Sequence, residues 1–158
     1  MRLLAACLTL TLMAIVALAQ EGGGVPALKL YASSAEVQSM MAKAKSSRKQ
    51  NQANLSQRIV GAAPYNASLE YRVGPQTASV HEKAAEFFYV VEGSGTLTTG
   101  GKLNKETRGI DGGTNQQVSK GDFFVVPENT PHWFSAISSD ALVLMSLHVP
   151  RPVAGEVQ

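Results

Sequence analysis

The chain has 158 residues, with 14 basic and 12 acidic side chains for a formal net charge of +2, and 44% of it is hydrophobic. Acids and bases are well mixed, so there is no like-charge block to bind a phosphate backbone by counterion release, and nucleic acid is excluded as a favoured partner. The length suits one hydrophobic core with a tail, because domains usually run about 100–150 residues.

Residues 1–20 read MRLLAACLTLTLMAIVALAQ: one arginine, an uncharged apolar run, then Ala17-Leu18-Ala19 in the small-x-small pattern of a signal-peptidase site. Residues 1–19 are therefore expected to be an export signal cleaved after Ala19, giving a periplasmic or secreted protein. The apolar run is short for the roughly 20 residues a span requires, so no stable membrane span is expected. Cys7 is the only cysteine and lies inside the signal. Leu4-Ala5-Ala6-Cys7 matches the residue types of a lipoprotein box, but almost no hydrophobic segment precedes it, and lipid anchoring through Cys7 is the minor alternative. The cleaved chain would contain no thiol, so any metal site in it must use nitrogen and oxygen ligands.

Residues 20–26, QEGGGVP, are too glycine-rich to pack and read as a flexible leader. A helix is expected from Ser33, whose hydroxyl can cap the Glu36 amide while Glu36 reaches back in a capping box. Val37, Met40, Met41 and Ala44 recur at helical spacing, and that stripe should pack on the outside of the main domain or on a second subunit. Leader and helical arm together occupy 20–54. From Leu55 to about residue 152 the pattern is that of short strands separated by turn residues, an all-β sandwich or barrel, with 153–158 as a tail. Strands are expected at 57–62, 68–73, 78–81, 86–92, 95–99, 115–118, 122–126, 132–136 and 142–148. Residues 100–114, GGKLNKETRGIDGGT, form a long loop, read either as a rim over a barrel mouth or as an exposed hairpin extension.

The chemistry concentrates in SVHEKAAEFFYVVEG (79–93) and GDFFVVPENTPHW (121–133). Two imidazoles and one carboxylate, His81, His132 and Glu86, make up the side chains of a facial triad, which leaves coordination positions open for water, dioxygen or substrate. This donor set suits a divalent transition metal: Fe, Mn, Ni, Cu or Zn. Alternation places Glu86, Phe88 and Val90 on one face of their strand, and a carboxylate heading an apolar face is costly unless a cation meets it. Glu82, in the preceding turn, can reach water instead. His132 follows a turn held by Pro127 and Pro131, which fixes where the ring points. His148 shares a face with Leu142, Leu144 and Ser146. It is a candidate general base or substitute ligand if that face lines the barrel, and a strand-end surface histidine if it does not.

These two stretches resemble the paired motifs of the cupin superfamily. The first motif, G-x5-H-x-H-x3-4-E-x6-G, is answered by Gly74, then after four residues Ser79-Val80-His81 with serine at the first histidine, then after four more Glu86, and after six Gly93. The second, G-x5-P-x-G-x2-H-x3-N, is matched by Gly121, Pro127, Asn129 in place of glycine, His132, and Ala136 in place of asparagine. The resemblance implies a single small jelly-roll barrel, a double-stranded β-helix, carrying the N-terminal helical arm. It also implies a metal site of three histidines and one glutamate, of which Ser79 replaces the first histidine and leaves His81, Glu86 and His132. An enzyme acting on a small oxygen-rich molecule, of dioxygenase, isomerase or decarboxylase type, is one implied function. A non-catalytic small-ligand-binding cupin is the other, and either is compatible with a homodimer paired through sheet edges and the arm.

Overall fold

The computed structural model describes residues 27–151; the expected export signal with Cys7, the expected leader to Pro26 and the expected tail from 153 lie outside the described residues. Helix α1 (Ser34–Ser47) starts where the capping pattern places it, with the Ser33 hydroxyl accepting from the Glu36 N–H at 3.1 Å. That bond satisfies one of the amides a helix start leaves unpaired. Glu36 does not reach back to close a capping box, because its carboxylate pairs with Lys29 instead. Among the described residues no helix is long and apolar enough to cross a membrane.

Ten strands follow: β1 (Asn54–Ala62), β2 (Tyr65–Arg72), β3 (Ala84–Glu92), β4 (Ser94–Thr99), β5 (Lys102–Leu103), β6 (Ile110–Asp111), β7 (Thr114–Ser119), β8 (Phe123–Val126), β9 (His132–Ile137) and β10 (Leu142–Pro150). They form a five-stranded sheet in the order β1-β2-β10-β3-β8, a three-stranded sheet in the order β7-β4-β9, and the β5-β6 hairpin. The expected strand at 78–81 is reduced to an isolated bridge between Ser79 and His132. The long loop turns out to contain a hairpin. Ala78 donates its N–H to the Arg108 carbonyl at 2.7 Å, and Gly109 lies so close to the Trp133 ring that an added Cβ would stand 2.8 Å from it. The hairpin thus leans on the segment that leads into Ser79 and His81.

Inner faces of the two larger sheets meet in the core. Phe88, Val90, Val126, Leu142 and Leu144 of the large sheet pack on Leu97, Val118 and Phe134 of the small one, and each such side chain, fully buried, contributes about 1.5–3 kcal/mol. The outer face of the large sheet is also apolar. There Ile59, Leu69 and Val143 pack on Val37 and Met41 of α1, with Tyr71 and Met145 alongside. The helical arm therefore covers its own domain. Because β2 turns Leu69 and Tyr71 toward the helix, its alternate residues Ser68, Glu70 and Arg72 must face inward, opposite Ser146, Leu144 and Leu142 of β10.

Candidate metal centre

Every histidine of the sequence, three in all, converges on Glu86. His81 Nε2 and His132 Nε2 each lie 3.2 Å from Glu86 Oε2, and His148 Nε2 lies 3.1 Å from Oε1. The expected trio His81, Glu86 and His132 is brought together, and His148 joins it. Donor atoms of His81, Glu86 and His148 all lie within 4.8 Å of one another, while His132 joins the group through Glu86. Glu82, by contrast, sits exposed in the turn.

Register explains the convergence. Glu86 stands directly opposite His148 on β10 and opposite Val126 on β8, and directly opposed residues present their side chains on one face. His132 opens β9 opposite Thr99. On its other side it exchanges both backbone hydrogen bonds with Ser79, at 2.8 and 2.9 Å. His81 follows Ser79 by two residues, and its carbonyl accepts the Asn129 N–H at 2.8 Å. Asn129 adopts φ 57°, a left-handed conformation that asparagine tolerates and that the family motif usually fills with glycine. The turn carrying the second motif is in this way pinned to the histidine of the first.

Glu86 is only 4% exposed. His132 is buried, with 7% of its side chain exposed, whereas His81 and His148 stand at the mouth with 34% and 43% exposed. The rings are closely grouped, with centroids 4.6 Å apart for His81 and His148 and 5.2 Å for His81 and His132. His132 Nδ1 lies 3.1 Å from the Thr130 carbonyl. A carbonyl can only accept, so the Nδ1 contact orients the ring with Nε2 toward Glu86 Oε2. A nitrogen and a carboxylate oxygen held this close need a cation between them, either a proton on the nitrogen or a metal ion.

Burial pushes the Glu86 carboxyl up, but hydrogen bonds from His132 and His148 and attraction to both rings outweigh it and hold the group at about 2. His148 is raised, first by its hydrogen bond to Glu86, against burial, with further help from the charges of Glu86 and Glu70. His81 is lowered by burial, which with repulsion from the other two rings exceeds the pull of Glu86. Glu70 belongs to a second polar group on the inner face that the sequence reading missed. Its Oε1 accepts the Ser146 hydroxyl at 2.7 Å, its Oε2 accepts Arg72 Nε at 2.8 Å, and the Arg72 guanidinium lies 4.6 Å from the centroid of the Phe134 ring. The signal was present in β2, since the face opposite Leu69 and Tyr71 has to point inward.

The donor set fits a divalent metal. A buried carboxylate and imidazole nitrogens turned toward it are the ligands such an ion takes, and no thiolate is involved.

The chain belongs to the cupin family, for a model described as a cupin domain matches residues 69–148. Among solved structures it is similar to KdgF from Halomonas sp., with 21% identity, 66% of this chain and 86% of that chain covered, and a TM-score of 0.50. The Cnp3 cupin domain of Schizosaccharomyces pombe is 14% identical over 68% of this chain and 72% of that one, with a TM-score of 0.53. A structure of FeII HppE is 17% identical over 65% of this chain and 53% of that one, with a TM-score of 0.51. These likenesses show the fold. No curated protein matches the sequence.

Proposed function

We propose that this protein binds one divalent transition metal through His81, Glu86 and His132 and acts as an enzyme on a small oxygen-rich molecule. The observation that carries the reading is the convergence of all three histidines on one buried carboxylate. An ion held there supplies Lewis-acid polarisation of bound oxygens, or redox chemistry if it is iron, manganese or copper. The protein's own groups supply the rest: Glu86 anchors the donor set, the Thr130 carbonyl sets the ring of His132, and half-exposed His81 and His148 border the approach from solvent. The FeII in the name of the HppE structure supports the metal reading without fixing the ion. Elemental analysis of the purified protein, with His132→Ala alongside, tests it, and a metal-free preparation that cannot be reloaded rejects it.

Ser79 and Ala136 replace the first histidine and the terminal asparagine of the motifs, and these departures favour a second reading, ligand binding without turnover. Export to the periplasm or beyond belongs to the same proposal and rests on the signal pattern of residues 1–19, which the N-terminal mass of the mature protein tests. Homodimerisation is supported by the exposed apolar side chains Tyr89, Phe123 and Val125 on β3 and the edge strand β8, and light scattering tests it.

A further inference from the structure

We infer that His148 is the fourth protein ligand of the metal, supplied by the last strand in place of the imidazole missing at Ser79; the inference rests on the metal reading above. Ser79 and His132 are directly opposed and exchange both backbone hydrogen bonds, so their side chains share a face and Ser79 points toward the cluster. Its side chain is too short to stand where an imidazole would, and a hydroxyl is a poor ligand for a divalent transition ion. The cluster therefore lacks an imidazole on that side.

His148 arrives from the other side. It is the direct partner of Glu86 across β3 and β10, and its Nε2 meets Oε1 at 3.1 Å while His81 and His132 address Oε2. Both carboxylate oxygens thus face imidazole nitrogens. The donor atoms of His148, Glu86 and His81 lie within 4.8 Å of one another, close to the roughly 4 Å span of two ligands at about 2.0–2.2 Å on opposite sides of one ion. A histidine whose only role is to end a strand at the surface would turn its polar edge to water. His148 is 43% exposed at the side chain yet directs Nε2 inward at a carboxylate that is itself almost fully buried.

The exchange also changes the shape of the site. Moving one imidazole from the Ser79 position to β10 loads the ligands onto the large sheet, which then supplies Glu86 and His148, and the side at Ser79 is left to a hydroxyl. Ligand is expected to enter there, with the serine as a hydrogen-bonding group beside it.

Cobalt(II) titrated into the metal-free full chain tests the inference, read by calorimetry and by NMR of the cobalt-loaded protein. Wild type is expected to show hyperfine-shifted ring resonances from three histidines. His148→Ala is expected to lose one set and to bind Co(II) at least about tenfold more weakly, since loss of even a partner that only orients a ligand costs about that much. The double variant Ser79→His with His148→Ala is expected to regain the third set and most of the affinity. His148→Asn, read by the same criteria, replaces His148→Ala if that variant fails to fold. Wild-type cobalt protein with only two shifted rings, or a His148 variant that binds like wild type, overturns the inference and leaves the metal reading standing. Wild type that binds no cobalt removes both.

Discussion

Glu86 on β3 and His148 on β10 are direct cross-strand partners, with 3.1 Å between Oε1 and Nε2, and this pair ties the central strand of the large sheet to its neighbour at the mouth of the sandwich. Glu86 serves all three histidines, so its charge and not its size should be what the site depends on. Glu86→Gln keeps the volume and removes the anion. Metal content measured by plasma emission is expected to fall from about one ion per chain to near zero, while the far-UV circular dichroism stays that of the wild type. Retention of metal by this variant would show that Glu86 is not a ligand.

The pH dependence follows from the same pair. Glu86 is depressed to about 2 from the ordinary 4.5, so the stability it contributes to the metal-free fold is present above 4.5 and is lost as pH falls toward about 2. His148 is raised above 6.5, so its contribution is full below 6.5 and is lost as pH rises through the raised value. His81 is lowered below 6.5 and works in the opposite sense, costing stability as the pH drops past 6.5. A metal must displace the His148 proton to use that nitrogen. Apparent affinity is thus expected to climb with pH from 6 to 8, with proton release detected as a dependence of the calorimetric enthalpy on buffer ionisation heat. Affinity that is flat across that window would contradict the assignment.

Gly93, the last residue of the first motif, has φ +83°, and a Cβ placed on it would stand 1.9 Å from the Ala141 carbonyl oxygen. Gly93→Ala faces both the left-handed backbone and a backbone atom that cannot step aside. A loss of at least about 2 kcal/mol in denaturant unfolding is expected, from a strained conformation costing about 1–3 kcal/mol plus the clash. Gly100 also has a positive φ but open space around it, so Gly100→Ala should cost distinctly less.

Asn129 gives a graded comparison at φ 57°. Asn129→Gly restores the residue of the family motif and should leave the melting temperature unchanged or slightly higher. Asn129→Val puts a β-branched residue in the left-handed region and should cost about 1–3 kcal/mol. Because the Asn129 N–H binds the His81 carbonyl, the valine variant should weaken metal binding as well as stability.

The architecture was legible because the driving pattern is local. Alternation in β3 put Glu86, Phe88 and Val90 on one face, all three buried in the fold, and the apolar stripe of α1 named Val37, Met41 and Ala44, the residues that the helix buries. Boundaries moved where tertiary contacts decide them. The segment 78–81 keeps only the Ser79 bridge, and of the two readings of residues 100–114 the hairpin is the one found, as β5 and β6. The cluster around Glu86 was legible through its motifs, but the place of His148 depends on which strand neighbours β3, and spacing along the chain carries no trace of that. The Glu70, Arg72 and Ser146 network needed a tertiary contact as well: alternation in β2 separates Leu69 and Tyr71 from Glu70 and Arg72, but only α1 packing on the Leu69 side turns the polar side inward.

The bridge between Ser79 and His132 bears on the unfolding equilibrium as well as on chemistry. Donors at 81, 86, 132 and 148 are brought together only when both sheets have closed, so the denatured ensemble offers an ion no comparable chelate. Linkage then makes the metal a thermodynamic lock on closure: at a free concentration one hundred times the dissociation constant it would add about 2.7 kcal/mol to folding. The melting temperature would accordingly track free metal and fall when a chelator is added, so thermal shift alone could rank candidate ions before any substrate is known.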